Sequence, residues 1–250
     1  MTTGSFDTEG LSVALARFGL ITRGGFNFDN REAVPAGPSG APARSVLLVG
    51  HGGGTIWPHF SGWLAGQEES PANPLDTWSA AILREVAGAF GARAVFPSDK
   101  PFLPFQQWAM RAEGLRPSPL GMLIHPEFGL WHAYRGALLL DVEIQIQRDD
   151  APVHPCECCI EKPCLSTCPV SAFSQSGFDV ATCRSWLDSS TSWNDSSSSH
   201  ADSIASGGAS MKGADCMNAG CRARNACPIG HEYRYCDAQL RFHMASFARA

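Results

Sequence analysis

The sequence predicts an α+β protein in two parts: a sheet-and-helix domain over residues 1–150, then a cysteine-rich domain over 151–250. Three observations predict it. All 10 cysteines fall between Cys156 and Cys236, and the first 155 residues contain none. The first half carries short continuous apolar runs, such as SVLLVG at 45–50, beside a long amphipathic stretch at 73–90. That is the signature of buried strands next to a helix. Residues 187–215 are a Ser/Gly-rich stretch that cannot bury enough apolar surface to order itself, and they read as a flexible insertion inside the cysteine region.

The elements follow in chain order. Leu11, Val13, Leu15 and Phe18 place a short amphipathic helix within residues 9–20, and the Gly/Pro-rich residues 21–44 read as a loop. SVLLVG is too short for a helix and reads as a buried strand. His51 and Gly52 to Gly54 after it read as a glycine turn. An anion-binding turn is the alternative, but the segment lacks the G-x-G-x-x-G spacing and the P-loop lysine. Asn73 as N-cap, Pro74 at the first helical position and Asp76 in the first turn open the best helix, with Leu75, Trp78, Ile82, Val86 and Phe90 on one face and Gly91 at its end. RAVFP at 93–97 returns as a strand. Residues 97–115, with three prolines and the amide pair Gln106 and Gln107, form either a pocket wall or a packed loop. Residues 120–144 read as two strands joined by HPEFGLWHAYR, a joint with two histidines, three aromatics, an acid and an arginine, whose mixture points to a site. Leu240, Met244 and Phe247 predict a C-terminal helix, with His243 in a packing role.

Composition narrows the function. With 44% hydrophobic residues the chain can bury a core, and no apolar run approaches the length of a membrane span. A net charge of -5 argues against nucleic acid as the main partner, because phosphate binding needs a basic footprint. MTTGSFDTEG lacks the basic and apolar regions of a leader, so a cytoplasmic location is expected and a disulfide framework is disfavoured.

The cysteines carry the chemistry. Cys156, Cys159, Cys164 and Cys168 read C-x2-C-x4-C-x3-C-P, and Cys216, Cys221 and Cys227 form a second run ending in Cys-Pro, with Cys183 between. The first run is similar to the C-x2-C-x2-C-x3-C-P motif by which bacterial ferredoxins hold iron–sulfur clusters, with x4 in place of the first motif's second x2. In two-cluster ferredoxins the Cys before Pro serves the other cluster. That resemblance implies two 4Fe-4S clusters, one on Cys156, Cys159, Cys164 and Cys227, the other on Cys168, Cys183, Cys216 and Cys221. Cys158 and Cys236 are then spare, although Cys158 could replace a neighbour. Structural zinc, the competing reading, needs only four ligands and leaves the two Cys-Pro endings unexplained.

Residues 124–140, IHPEFGLWHAYRGALLL, resemble the IHP-x-FG-x-W-x-A-x-RG signature of the CblC family of cobalamin-processing proteins, and the likeness covers about residues 40–142. The second half is similar to the cysteine-rich modules of epoxyqueuosine reductases and reductive dehalogenases, which join paired clusters to a corrinoid site. The resemblance implies a flavin-reductase/nitroreductase-like first domain and a ferredoxin-like second one. It also implies a base-off corrinoid, cobalamin, held by Ser118, Gly121, His125, Gly129, Trp131, His132, Ala133 and Tyr134, with His132 a candidate cobalt neighbour. The family's glutathione-binding arginines have no counterpart here, which leaves the clusters as the electron source. The expectation is an iron–sulfur oxidoreductase that reduces a corrinoid or removes its upper ligand, fed by a low-potential donor of ferredoxin or flavodoxin type. An electron-transfer protein without corrinoid, its first half a docking or flavin-holding scaffold, and an epoxyqueuosine-reductase-like enzyme are the alternatives.

Overall fold

A computed structural model describes residues 6–29, 33–145, 153–174, 177–191 and 214–249, and most of the predicted insertion, 192–213, lies outside them. The chain divides into two compact units, Met1–Arg116 with Trp131–His154, and Pro117–Leu130 with Pro155–Ala250. The division is not the one expected at residue 150. Residues 117–130 belong with the cysteines, because Leu120, Ile124 and Leu130 are buried in one cluster with Cys164, Ala223 and Cys227.

The first unit contains α1 (Thr8–Ala16), β1 (Ile21–Asn27), β2 (Ser45–Gly52), α2 (Trp57–Ala65), α3 (Pro74–Ala89), β3 (Arg93–Val95) and α4 (Phe105–Glu113), then β6 (His132–Leu140); β4 (Arg116–Pro117) ends its first segment. The sheet is antiparallel in the order β1-β2-β6-β3. β2 is buried at every position, as the SVLLVG run predicts. It continues through His51 and Gly52, so the glycine turn starts later than expected. Ser45 pairs with Leu140 and Gly52 with His132, with an irregularity between Val49 and Gly50. Gly50 is required there, because a Cβ would lie 2.2 Å from the Ala133 carbonyl oxygen.

Helix α3 buries Leu75, Trp78, Ile82 and Val86, the face its periodicity predicts, and begins with Asn73 at the N-cap and Pro74 inside it. The Asn73 side chain makes no cap bond, so the proline carries the start signal. Two expectations fail. β1 occupies part of the residues read as a loop, and α4 occupies part of those read as a pocket wall or packed loop. α4 buries Phe105, Trp108 and Ala109, which leaves Gln106 and Gln107 exposed. Phe26, Phe28 and Trp108 meet edge to face between β1 and α4.

The second unit is assembled from short elements: β5 (Leu123–Ile124), α5 (Pro155–Cys158), α6 (Pro163–Ser166), β7 (Phe173–Ser174), β8 (Gly177–Phe178), α7 (Val180–Thr191), α8 (Ala214–Ala219), α9 (Arg222–Asn225) and α10 (Asp237–Arg249). The C-terminal helix packs on α8 and α7, and α6 packs on α9. β5 is only two residues long, so the first of the two strands expected within 120–144 is mostly turn. Residues 187–191, expected to be mobile, continue α7, and Leu187 is buried there. Among the described residues no helix is long and apolar enough to cross a membrane.

Candidate metal centres

All ten thiols are free, and eight of them fall into two sets that push on one another electrostatically. Burial pushes the Cys156 thiol up to about 11, and Cys227, Cys164 and Cys159 push the same way against the Lys162 ammonium. Cys164 is raised first by burial and then by Cys227 and Cys159; Cys227 is raised by burial, with Cys159 adding to it. In the second set burial pushes Cys183 up to about 11, reinforced by Cys221, Cys168 and Cys216 and opposed by Arg184. Burial also raises Cys216 and Cys221, each with a contribution from Cys168. The eight sulfurs thus gather as Cys156, Cys159, Cys164 and Cys227, and as Cys168, Cys183, Cys216 and Cys221. Cys158 and Cys236 are exposed and belong to neither set.

Short helices and turns aim backbone amides at these sulfurs. The Ala172 N–H donates to Cys168 Sγ at 3.3 Å. The Arg222 N–H donates to the Cys216 sulfur, those of Ala223 and Arg224 to Cys221, and that of Ile229 to Cys227. Such donors favour a thiolate over a thiol. Arg184 Nε and both amide atoms of Gln239 are buried without a hydrogen-bond partner among the described residues. Buried polar atoms are seldom left so in a native fold, and an acceptor-rich group between the helices would satisfy them. Among the described residues no three His, Cys, Asp or Glu side chains close to the spacing that holds a single ion. Thiols grouped by fours yet wider than a mononuclear shell fit a polynuclear iron–sulfur cluster better than zinc, whose sulfurs crowd about 2.3 Å from one ion.

The HPEFG loop is built against the first set. His125 and Gly129 exchange two backbone bonds, both 2.9 Å, and His125 Nδ1 accepts the N–H groups of Glu127 and Phe128 at 3.1 Å. The imidazole stacks on Phe128 at 4.4 Å. Gly129 has φ 56°, and a Cβ there would sit 1.8 Å from the Ile229 carbonyl oxygen; the same at Gly230 would sit 2.3 Å from the Phe128 carbonyl carbon. The loop therefore lies backbone to backbone on the Pro228-Ile229-Gly230 turn that follows Cys227. Arg224 Nη2 donates to Leu130 O at 2.6 Å and Tyr233 Oη to Glu127, which fixes the same turn from both sides. Ser118 is buried in a turn whose Oγ accepts the Leu120 N–H, and Gly121 at φ 79° has open space around its Cα.

The remaining expected pocket residues, Trp131, His132, Ala133 and Tyr134, lie in the first unit, at or just before the start of β6. Trp131 is buried and its carbonyl accepts the Gly53 N–H at 2.6 Å. His132 and Tyr134 join a polar cluster that sequence reasoning missed. Arg23 on β1, 2% exposed, donates from Nε and Nη2 to the two carboxylate oxygens of Glu113 on α4 at 2.8 and 3.0 Å, and from Nη1 to His51 O at 3.2 Å. Tyr134 Oη donates to the same carboxylate. Burial holds the Tyr134 hydroxyl well above the usual phenol range; the Arg23 charge opposes and Glu113 reinforces the shift. His132 Nδ1 lies 3.3 and 3.4 Å from the Arg23 nitrogens. A guanidinium only donates, so Nδ1 carries the lone pair and the proton sits on Nε2. An imidazole ligating cobalt through Nε2 would need the opposite tautomer. Only the alternation of Ile21, Arg23 and Gly25 could have hinted at this cluster, and two glycines mask it.

The site is thus that of a two-unit α+β protein whose second unit gathers cysteines in two fours. No protein-family model matches the chain, and no curated protein matches it. Among solved structures, an epoxyqueuosine reductase from Streptococcus thermophilus is similar with a TM-score of 0.42 at 13% identity, over 75% of this chain and 50% of that one. A selenomethionine-labelled epoxyqueuosine reductase is similar with a TM-score of 0.45 at 11% identity, over 80% of this chain and 52% of that one. The chain spans about half the length of each.

Proposed function

We propose that this chain is an iron–sulfur oxidoreductase. Its second unit holds two 4Fe-4S clusters on the two sets of four cysteines, and its first unit, a flavin-reductase-like scaffold, holds the electron acceptor. The gathering of eight cysteines into two fours is the observation that carries this reading. When bound, such clusters supply one-electron transfer at potentials that their surroundings set between about -700 and +450 mV. The chain's own residues do the rest. The backbone amides at Cys168, Cys216, Cys221 and Cys227 hold those sulfurs as thiolates. The HPEFG loop clamps the turn after Cys227. In the first unit Tyr134 keeps its proton against Glu113, and His132, held by Arg23, presents a donor at Nε2.

The finer reading makes the acceptor a base-off cobalamin, reduced by electrons from a low-potential donor of ferredoxin or flavodoxin type. The likeness of residues 124–140 to the cobalamin-processing signature supports it. One observation favours an electron carrier without corrinoid: His125 and Gly129 are occupied in holding the turn after Cys227. Anaerobic iron and sulfide analysis, with visible spectra before and after cobalamin and dithionite, separates the readings. About eight iron per chain with shifted corrin bands supports the full proposal. Eight iron with unchanged corrin bands leaves the electron carrier, and fewer than about four removes the cluster reading altogether.

A further inference from the structure

The two cysteine sets differ in the charges around them. Arg184 follows Cys183 on α7, its Nε is buried without a hydrogen-bond partner among the described residues, and its guanidinium lies 5.3 Å over the Phe247 ring. Arg224, on the turn after Cys221, lies 4.8 Å over the Tyr235 ring. Both are half-buried. Gln239 on α10, the helix packed on the Cys216 helix, is 0% exposed, and neither amide atom has a hydrogen-bond partner among the described residues. The charge beside the first set is Lys162, exposed on the loop between Cys159 and Cys164. Exposed acids accompany both sets, Glu157 and Glu161 at the first and Asp215 at the second, and water screens all three.

Reduction adds one negative charge to a cluster, so nearby cations and N–H donors stabilise the reduced form more than the oxidised one. Screening weakens Lys162 far more than Arg184 and Arg224, which sit against aromatic rings. We propose that Arg184, Arg224 and the Gln239 amide hold the cluster on Cys168, Cys183, Cys216 and Cys221 at a higher reduction potential than the cluster on Cys156, Cys159, Cys164 and Cys227. An electron entering the protein comes to rest on the second set. This rests on the iron–sulfur reading above.

The test is an anaerobic redox titration of the holoprotein, followed by electron paramagnetic resonance, in the parent chain and in Arg184→Gln, Gln239→Leu and Lys162→Gln. The parent shows two one-electron steps. Arg184→Gln and Gln239→Leu each lower the higher step and leave the lower one and the iron content unchanged, whereas Lys162→Gln lowers the lower step. Arg184→Lys, which keeps the charge, stays closer to the parent than Arg184→Gln. Movement of the lower step by Arg184→Gln or Gln239→Leu, or no movement with iron intact, overturns the order. Should Arg184→Gln lose iron, Lys162→Gln still decides, because a shift of the higher step reverses the assignment. Fewer than about eight iron in the parent overturns the cluster reading itself, a separate outcome.

Discussion

Gly129 and Gly121 both sit at positive φ, 56° and 79°, yet only Gly129 is crowded. Both are expected from the resemblance to line one pocket, and the structure separates them by what a methyl group would meet. At Gly121 a Cβ would enter open space, so Gly121→Ala costs only the left-handed strain, about 1–2 kcal/mol. At Gly129 the same Cβ would overlap the Ile229 carbonyl, and relief requires moving the turn after Cys227. Gly129→Ala therefore costs more than about 2 kcal/mol and releases iron, while Gly121→Ala keeps its full complement. Iron analysis and urea unfolding of the two variants check this; equal iron loss would show that the close approach is irrelevant. The motif glycine was legible in the sequence. Its reason was not, because the partner backbone lies 100 residues further along the chain.

Among elements, β2 and α3 were legible and β1 and α4 were not, for a physical reason. The first pair carries its own signals, a continuous apolar run and a proline start, whereas β1 is held by groups it cannot show alone. Arg23 on β1 is buried because Glu113 on α4 and His51 O on β2 receive its donors. Side-chain exposures of 1% and 14% make this a buried pair, where removing one partner strands the other. Arg23→Met should cost about 3 kcal/mol, and adding Glu113→Gln should recover part of it, a coupling of about 1–3 kcal/mol read from urea midpoints. Additive losses would mean the two side chains act independently. Tyr134 gives the cluster a pH signature. The folded chain binds its proton more tightly than the unfolded chain, whose tyrosines ionise near pH 10. This contribution is therefore fully present below about pH 10 and is lost as pH rises above it, by up to about 1.4 kcal/mol per pH unit. Tyr134→Phe should flatten that alkaline fall.

At the scale of the whole molecule, spacing alone grouped the cysteines, since thiols within a few residues of one another must lie close and the Cys-Pro endings mark where a loop turns away. What spacing could not reveal is that residues 117–130 belong to the cysteine unit, because Leu120, Ile124 and Leu130 look locally like any buried strand. Their packing against Cys164 and Cys227 ties the integrity of that segment to the first set of ligands. Cys164→Ala should accordingly lose about half of the iron and destabilise the second unit. Cys158→Ala and Cys236→Ala, at exposed sulfurs outside both sets, should keep all of it. The Arg23 cluster of the first unit contains no cysteine, so its alkaline fall in stability should survive Cys164→Ala. Iron removal by a chelator extends the same logic: thermal unfolding followed separately at 280 nm and in the cluster bands should show the second unit melting earlier, with the transition of the first unit in place. Loss of both transitions together would show that the two units fold as one, and the metal would then hold the whole molecule instead of its cysteine half.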